Sequence, residues 1–398
     1  MQETQTILLA MPTRYWLARR AALGIARYAQ GHCRWELLIP PLDQPEQIRT
    51  PGQMGAAGAI ISTGIPRPAE FADCVEPVIV LDSPLLDGIR PRVMTDRHAV
   101  GRLAGEYFIA RGFYSFGYVT GGWPVGLGWY EGFRECVGQV RGAVVAVYET
   151  ALGLDRRPFR EALTELSTWI AGLPRPCAIL ACDDHHGAIV IQAARHAGLR
   201  VPEEIAVLGV QDEAIFREAS QVPLSTIALA CERMGYEAAS MLHALLQGRA
   251  PPADPVLVPP VEVLTRRSTD CRVVSDPEVA RAMAWIGDHL HEQFGIEEMI
   301  AQLPVSRSTL ERRFKAVLGR SPLDEVLRQR VERAKSLLVD SDWDLKRIAE
   351  ACGFANRIYF GSVFRKLTGQ SPARYRSRFL RRNHNPVGTA WSPSDARR

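Results

Sequence analysis

Polar and aromatic residues capable of holding a small ligand fall at the ends of short apolar runs in this chain. Asp183 and Asp184 follow CAILAC (177–182), Asp96 follows RVMT (92–95), and Gln211 follows IAVLGV (205–210). Thr13 and Arg14 follow TILLAMP (6–12). Ionised carboxylates accept strong charge-assisted hydrogen bonds from ligand hydroxyls, and an amide both donates and accepts. Each Asp could equally cap the helix behind it, and Arg14 could be a solvated surface residue. Trp123, Trp129 and Tyr130 follow SFGYVT (115–120). A ring suits the C–H face of a polyhydroxylated ligand, and Trp123, nearest the strand end, is the one expected in a cleft. Core packing is the competing role for each ring.

Catalytic and metal chemistry find less support. No G-x-S-x-G, H-E-x-x-H or Walker sequence is present. His185-His186 and His289/His291 lack companions at ligand spacing, so neither a metal nor a cofactor is expected. Gly126-x-Gly128-x-x-x-Gly132 follows a strand and enters a helix, the outline of a dinucleotide site. Its glycines begin six residues beyond Thr120, too far for the immediate tight turn such a site uses. A nucleotide-dependent enzyme is therefore the lesser alternative.

A second set of residues is basic, and it occurs twice. SRSTLERRFKAVLGRSP (306–322) and NRIYFGSVFRKLTGQSP (356–372) align without a gap, pairing Leu310 with Phe360, Phe314 with Phe364 and Gly319 with Gly369. Repetition at a fixed offset means one structural unit used twice. Arg307, Ser308, Glu311 and Arg312 share one outward face of the first copy; Arg can pair with guanine edges and Glu can accept from cytosine. Phosphate anchoring is the alternative for any single Arg. Asn356, Arg357 and Ser362 are the corresponding candidates in the second copy.

These residues need helices to present them. Asp344 can cap a helix carrying Leu345, Ile348, Ala349 and Cys352, Gly353 suits a turn with positive φ, and Asn356 can cap the next helix. Phe360, Val363, Phe364 and Leu367 define that helix's inner face. A helix, a tight turn and a second helix with a basic outer face is the helix-turn-helix design. Between the copies, Ser321-Pro322 opens a long helix through Leu338, with Leu323, Val326, Leu327, Ala334, Leu337 and Leu338 on one face. Two units on such a helix could read major-groove segments roughly 34 Å apart. Upstream, more than eight apolar runs alternate with helical stretches over about 260 residues. That pattern predicts two α/β lobes with parallel sheets, and ligands bind at the carboxyl ends of such strands.

Ile348-Ala349, Gly353-Phe354, Tyr359-Phe360, Phe364-Arg365-Lys366, Gly369, Pro372 and Tyr375-Arg376 resemble the signature of AraC/XylS-type transcription regulators. Pro304 departs from it where Gly is usual in the first turn, and Gly361 and Ser362 offer the groove less side chain than is common. Asp183-Asp184, Val201-Pro202-Glu203-Glu204, Gly209, Pro223-Leu224-Ser225 and Met234-Gly235 resemble the LacI/GalR and periplasmic sugar-binding fold. Gln211 departs from that pattern, which places Asp directly after the strand. The pairing of the two resembles the xylose-operon regulator family. It implies a periplasmic-binding-protein-like α/β sensor over residues 1–268, a linker over 269–277 and an all-α tandem helix-turn-helix domain over 278–380. The remaining 381–398 are expected to be a disordered tail. The implied partners are double-stranded operator DNA, a sugar effector such as xylose, a second copy of the chain, and RNA polymerase if the regulator activates. A regulator sensing a different small molecule is the alternative within the same class.

Charge agrees with this division. Residues 275–398 hold 22 Lys and Arg against 15 Asp and Glu, a net of +7, while residues 1–274 hold 26 against 29, a net of −3. A basic module on a mildly acidic one is the footprint of a nucleic-acid binder with a separate partner domain. Eight cysteines without a framework suit a reducing compartment. No secretory leader or membrane span is expected, so the predicted location is cytoplasmic, at the nucleoid.

Overall fold

A computed structural model of the chain describes residues 4–13, 15–40, 55–62, 76–83, 91–121, 124–140, 143–149, 158–220, 222–271 and 276–382. Arg14, Trp123 and residues 383–398 of the expected tail lie outside them.

The apolar runs form two six-stranded sheets. In the first lobe β1 (Gln5–Ala10), β2 (Trp35–Leu38), β3 (Gly58–Ser62), β4 (Val78–Leu81), β5 (Arg92–Thr95) and β11 (Val256–Val258) lie in the order β11-β5-β4-β3-β1-β2. All of these pairs are parallel. In the second lobe β6 (Ser115–Thr120), β7 (Val144–Glu149), β8 (Cys177–Ala181), β9 (Ile205–Gln211), β10 (Ser225–Ala228) and β12 (Glu262–Leu264) lie in the order β12-β10-β9-β8-β6-β7. Only β10–β12 is antiparallel among these. The inner strands are buried on both faces, which is why they read as unbroken apolar runs rather than alternating ones.

Helices are exchanged between the lobes. Helix α1 (Trp16–His32) covers the first sheet, but its partner there is α7 (Cys231–Leu246), which follows strand β10 of the second. Conversely α2 (Arg97–Ile109) leaves β5 of the first sheet and packs with α3 (Pro124–Val137) on the second. Helices α4 (Phe159–Ala171) and α5 (Asp184–His196) cover the other face of that sheet, and α6 (Ala214–Ala219) follows β9. The chain thus passes between lobes after β5, after β10 and between β11 and β12.

The dinucleotide outline is corrected here. Gly126, Gly128 and Gly132 all lie inside α3 rather than in a strand-to-helix turn. A Cβ on Gly132 would stand 2.1 Å from the His98 carbonyl oxygen, and one on Gly101 1.9 Å from that of Trp129. These glycines let two helix backbones touch; they do not cradle phosphate.

The C-terminal part is all helical: α8 (Pro277–His289), α9 (Ile296–Ile300), α10 (Arg307–Leu318), α11 (Pro322–Asp340), α12 (Leu345–Ala351), α13 (Arg357–Thr368) and α14 (Pro372–Arg382). The repeat is visible in its caps. Ser306 and Asn356 accept from the amides of Thr309 and Tyr359, and Gly319 and Gly369 close the same helices at φ 69° and 74°. The turn before α10 is one residue longer than the turn before α13, and Pro304 sits in it. Each unit has its own core. Val279, Ile286, Met299, Leu310 and Phe314 build the first, and Ile348, Phe354, Phe360 and Phe364 the second. Helix α11 serves both, giving Val326 to the first and Val331, Ala334 and Leu338 to the second. Two residues expected on inner faces are not there. Leu323 is 56% exposed because it lies in the first turn of α11, beyond the first core, and Leu367, at 47%, lies beside the last turn of α13.

The helical part docks on the second lobe. Arg267 donates to the Gly287 carbonyl at 2.8 Å and to Asp288 at 2.6 Å, Arg328 reaches Asp270 at 3.3 Å, and Ser336 donates to the Thr265 carbonyl at 2.9 Å.

Candidate functional site

The carboxyl ends of the two sheets face each other, and Arg19 of α1 reaches Glu213, just after β9, at 3.5 Å. Among the described residues three non-glycine residues hold positive φ, and all stand at these strand ends: Asp82 (46°), Gln211 (113°) and Asp212 (68°). Such conformations are costly and persist only where the surroundings enforce them, commonly at ligand sites. Around Asp82 the Thr95 amide donates to its carboxylate at 3.0 Å and the Arg97 guanidinium stands 3.6 Å away. Around Asp212 the enforcing contact is Arg266, which donates at 2.9 Å.

The adjacent Asp183 and Asp184 have different fates. Asp183 caps α5 through the His186 amide and also takes the His186 Nδ1 contact at 2.7 Å. Burial disfavours its charge, but the His186 contacts outweigh that and lower its pKa below the usual carboxylate value. Its side chain stays 28% exposed, so it is ionised and accessible. Asp184 points the other way. It is 2% exposed, with Thr226 Oγ1 at 2.5 Å and the Glu213 amide at 2.6 Å. Burial raises its pKa to about 8 against the opposing pull of those hydrogen bonds. The expectation that Asp184 meets a ligand as a charged acceptor is therefore corrected: both oxygens are spent inside the second lobe. Gly209 makes room for it, since a Cβ there would stand 2.3 Å from Asp184 Oδ1.

The other expected residues divide similarly. Asp96 caps α2 through the Ala99 amide at 2.9 Å and is half-buried. Thr13 is exposed, and its carbonyl accepts from Arg19 at 2.9 Å. Trp129 is a core residue, 2% exposed, with its Nε1 donating to the Cys182 carbonyl at 3.1 Å, and Tyr130 packs on Tyr118. A ring pair missed in the sequence is His185 with Phe216, centroids 4.9 Å apart and tilted by 31°. Phe216 lies four residues past the strained Asp212, and only the fold brings it alongside His185.

On the helical part, Arg307, Ser308, Glu311 and Arg312 are all exposed, as are Arg357 and Ser362. Arg307 is held by Glu311 at 2.9 Å and Glu297 at 2.7 Å, so it must exchange partners to meet a base. Among the described residues Arg312 has no such tie. The Asn356 carbonyl oxygen is occupied as a cap by the Tyr359 amide at 2.8 Å, leaving its amide nitrogen to face outward chemistry. Ile358 is 86% exposed on the same helix.

Comparison with known proteins agrees with this geometry. The periplasmic binding protein-like domain matches residues 106–269 and the helix-turn-helix domain residues 299–378. The xylose operon regulatory protein of Escherichia coli (strain K12) is 35% identical over 246 residues, 61% of this chain and 62% of that protein. The solved structure of xylose-binding transcription activator xylR aligns with a TM-score of 0.70 at 28% identity, covering 95% of this chain and 99% of that one. The chain is similar in sequence to the xylose operon regulatory proteins and in structure to the xylose-binding activator. The aligned stretch spans about three fifths of the E. coli relative's length, 62%. A LacI family regulator from Enterococcus faecalis V583, solved with bound ribose, matches in fold alone: TM-score 0.53, 18% identity, 68% of this chain and 100% of that one. The chain joins a two-sheet α/β periplasmic-binding-protein-like domain to a C-terminal helix-turn-helix domain. Among the described residues no helix is long and apolar enough to cross a membrane.

Proposed function

We propose that the chain is a sugar-responsive, sequence-specific DNA-binding transcription regulator of xylose or related sugar catabolism genes, acting in the cytoplasm as a dimer and without enzymatic activity. The observation that carries this reading is the joining, on one lobe, of an accessible ionised carboxylate beside a strained strand end and a docked tandem helix-turn-helix part. Asp183 accepts from sugar hydroxyls, Gln211 supplies an amide that donates as well as accepts, and the His185–Phe216 pair offers an apolar face. Asp96 and Thr13 border the same cleft from the first lobe, with Arg14 and Trp123 as further candidates. On the DNA side Arg312 and Arg307 address guanine edges, Glu311 cytosine, and Ser308, Asn356, Arg357 and Ser362 supplement them. Sugar acts through its differential affinity for the open and closed arrangements of the lobes. RNA polymerase becomes a partner if the regulator activates.

A thermal-shift series of aldopentoses and aldohexoses tests the reading. The effector at 100 times its dissociation constant should stabilise the sensor by about 2.7 kcal/mol, and Asp183→Asn should abolish that gain in a folded protein. Stabilisation by no neutral sugar would overturn the effector assignment, leaving a regulator of another small molecule.

A further inference from the structure

The sequence offers no metal-ligand spacing around His185-His186, yet the fold assembles one. Cys182 ends β8, Asp183 caps α5, and His186 stands in that helix's first turn. A donor atom of each lies within 4.8 Å of the other two. We propose that Cys182, Asp183 and His186 form a site for a borderline-soft divalent cation of the zinc class, at the floor of the cleft.

The chemistry of the set selects the cation. A thiol, an imidazole and a carboxylate together favour zinc and its neighbours, whereas calcium and magnesium require oxygen donors throughout. Tetrahedral zinc holds such donors roughly 3.3–3.8 Å apart, so small side-chain rotations close the present spacing. Cys182 and His186 are 8% and 5% exposed, so two ligands are already withdrawn from water, while Asp183 at 28% leaves an approach from the cleft. His186 Nδ1 and Asp183 Oδ1 already stand 2.7 Å apart, so both can turn to one cation once the proton between them leaves. Three protein ligands leave the fourth position to water or to a ligand hydroxyl. Binding expels the thiol proton and the proton held between His186 and Asp183, so two protons leave for one cation.

Cobalt(II) titration of the reduced, chelator-treated full chain tests the site, because a cobalt–thiolate bond gives a charge-transfer band absent from nitrogen and oxygen ligation. The expected result is that band saturating at one equivalent and being displaced by zinc. It should be lost in Cys182→Ser, which keeps the shape but not the thiolate, and in Cys182→Ala, which removes the donor atom altogether. His186→Gln should weaken binding at least tenfold, in line with the loss of a ligand or its orienting partner. Cys33→Ser, at a half-buried thiol elsewhere, should leave the titration unchanged. No thiolate band in the wild-type chain, or a band that survives Cys182→Ala, would overturn the site. A chain that binds cobalt but responds to no sugar would keep this site and lose the effector reading.

Discussion

At the scale of single residues, the neighbours Asp183 and Asp184 show how one position of chain decides between ligand chemistry and structure. Asp184 has a folded pKa of about 8, raised by burial, against about 3.9 in an unfolded chain. The native protein therefore holds a proton that the unfolded chain gives up, so this contribution to stability is complete below about pH 4. It is lost progressively as pH rises to and through 8. Denaturation between pH 5 and 9 should show wild-type stability falling more steeply than that of Asp184→Asn, whose amide cannot ionise. Equal slopes would mean that Asp184 is ionised in the fold. On the reader, Arg312→Ala should cost roughly 1–3 kcal/mol at the specific site and relax preference at one base position. Lys366→Ala, at an exposed cation away from that face, should weaken all sequences alike and flatten the salt slope by about one. Competition binding at several salt concentrations separates the two. Sequence could name the pair Asp183-Asp184 because both follow an apolar strand. It could not orient them, since that depends on Gly209 and Thr226 in strands paired only by the fold. Trp129 was left open for the same reason: an indole after a strand looks alike whether it faces a cleft or, as here, donates to the Cys182 carbonyl.

At the scale of elements, legibility followed burial. Strands buried on both faces announced themselves as apolar runs, and the repeated reader announced itself by its caps. What sequence could not reveal was which sheet a helix joins, because α2 and α7 each leave one lobe to pack on the other. The clue lay in glycines read for another purpose. Gly126, Gly128 and Gly132 suggested a phosphate turn, yet Gly132 marks a helix contact. Gly235 does the same in the first lobe, where a Cβ would stand 1.9 Å from the Ala21 carbonyl oxygen of α1. Gly235→Ala must separate two backbones rather than fill a gap. It should destabilise the sensor by at least roughly 1–3 kcal/mol, seen as an earlier melt of the sensor with the reader's DNA affinity at low salt unchanged.

At the scale of the whole molecule, the hydrogen bonds described between the helical part and the α/β part fall on the second lobe, through Thr265, Arg267 and Asp270. The joint is polar and incompletely filled. A cavity of about 380 Å³ remains in it, with Arg175, Arg200, Arg267, Arg281 and Arg333 among its walls. Arg267→Ala removes two of the bonds without touching either ligand surface. It should leave DNA and sugar affinities near wild type when each is measured alone, but bring the ratio of operator affinities with and without sugar towards one. An unchanged ratio would place the coupling elsewhere. The docking also fixes what closure can convey. Because the reader rides on the second lobe, shutting the cleft leaves it stationary relative to that lobe and swings both against the first, as a boom turns with its mast. Within one protomer such a swing is invisible to DNA. It becomes legible only when the first lobes of two copies are pinned together, so that the angle of each hinge sets the gap between two pairs of reading heads.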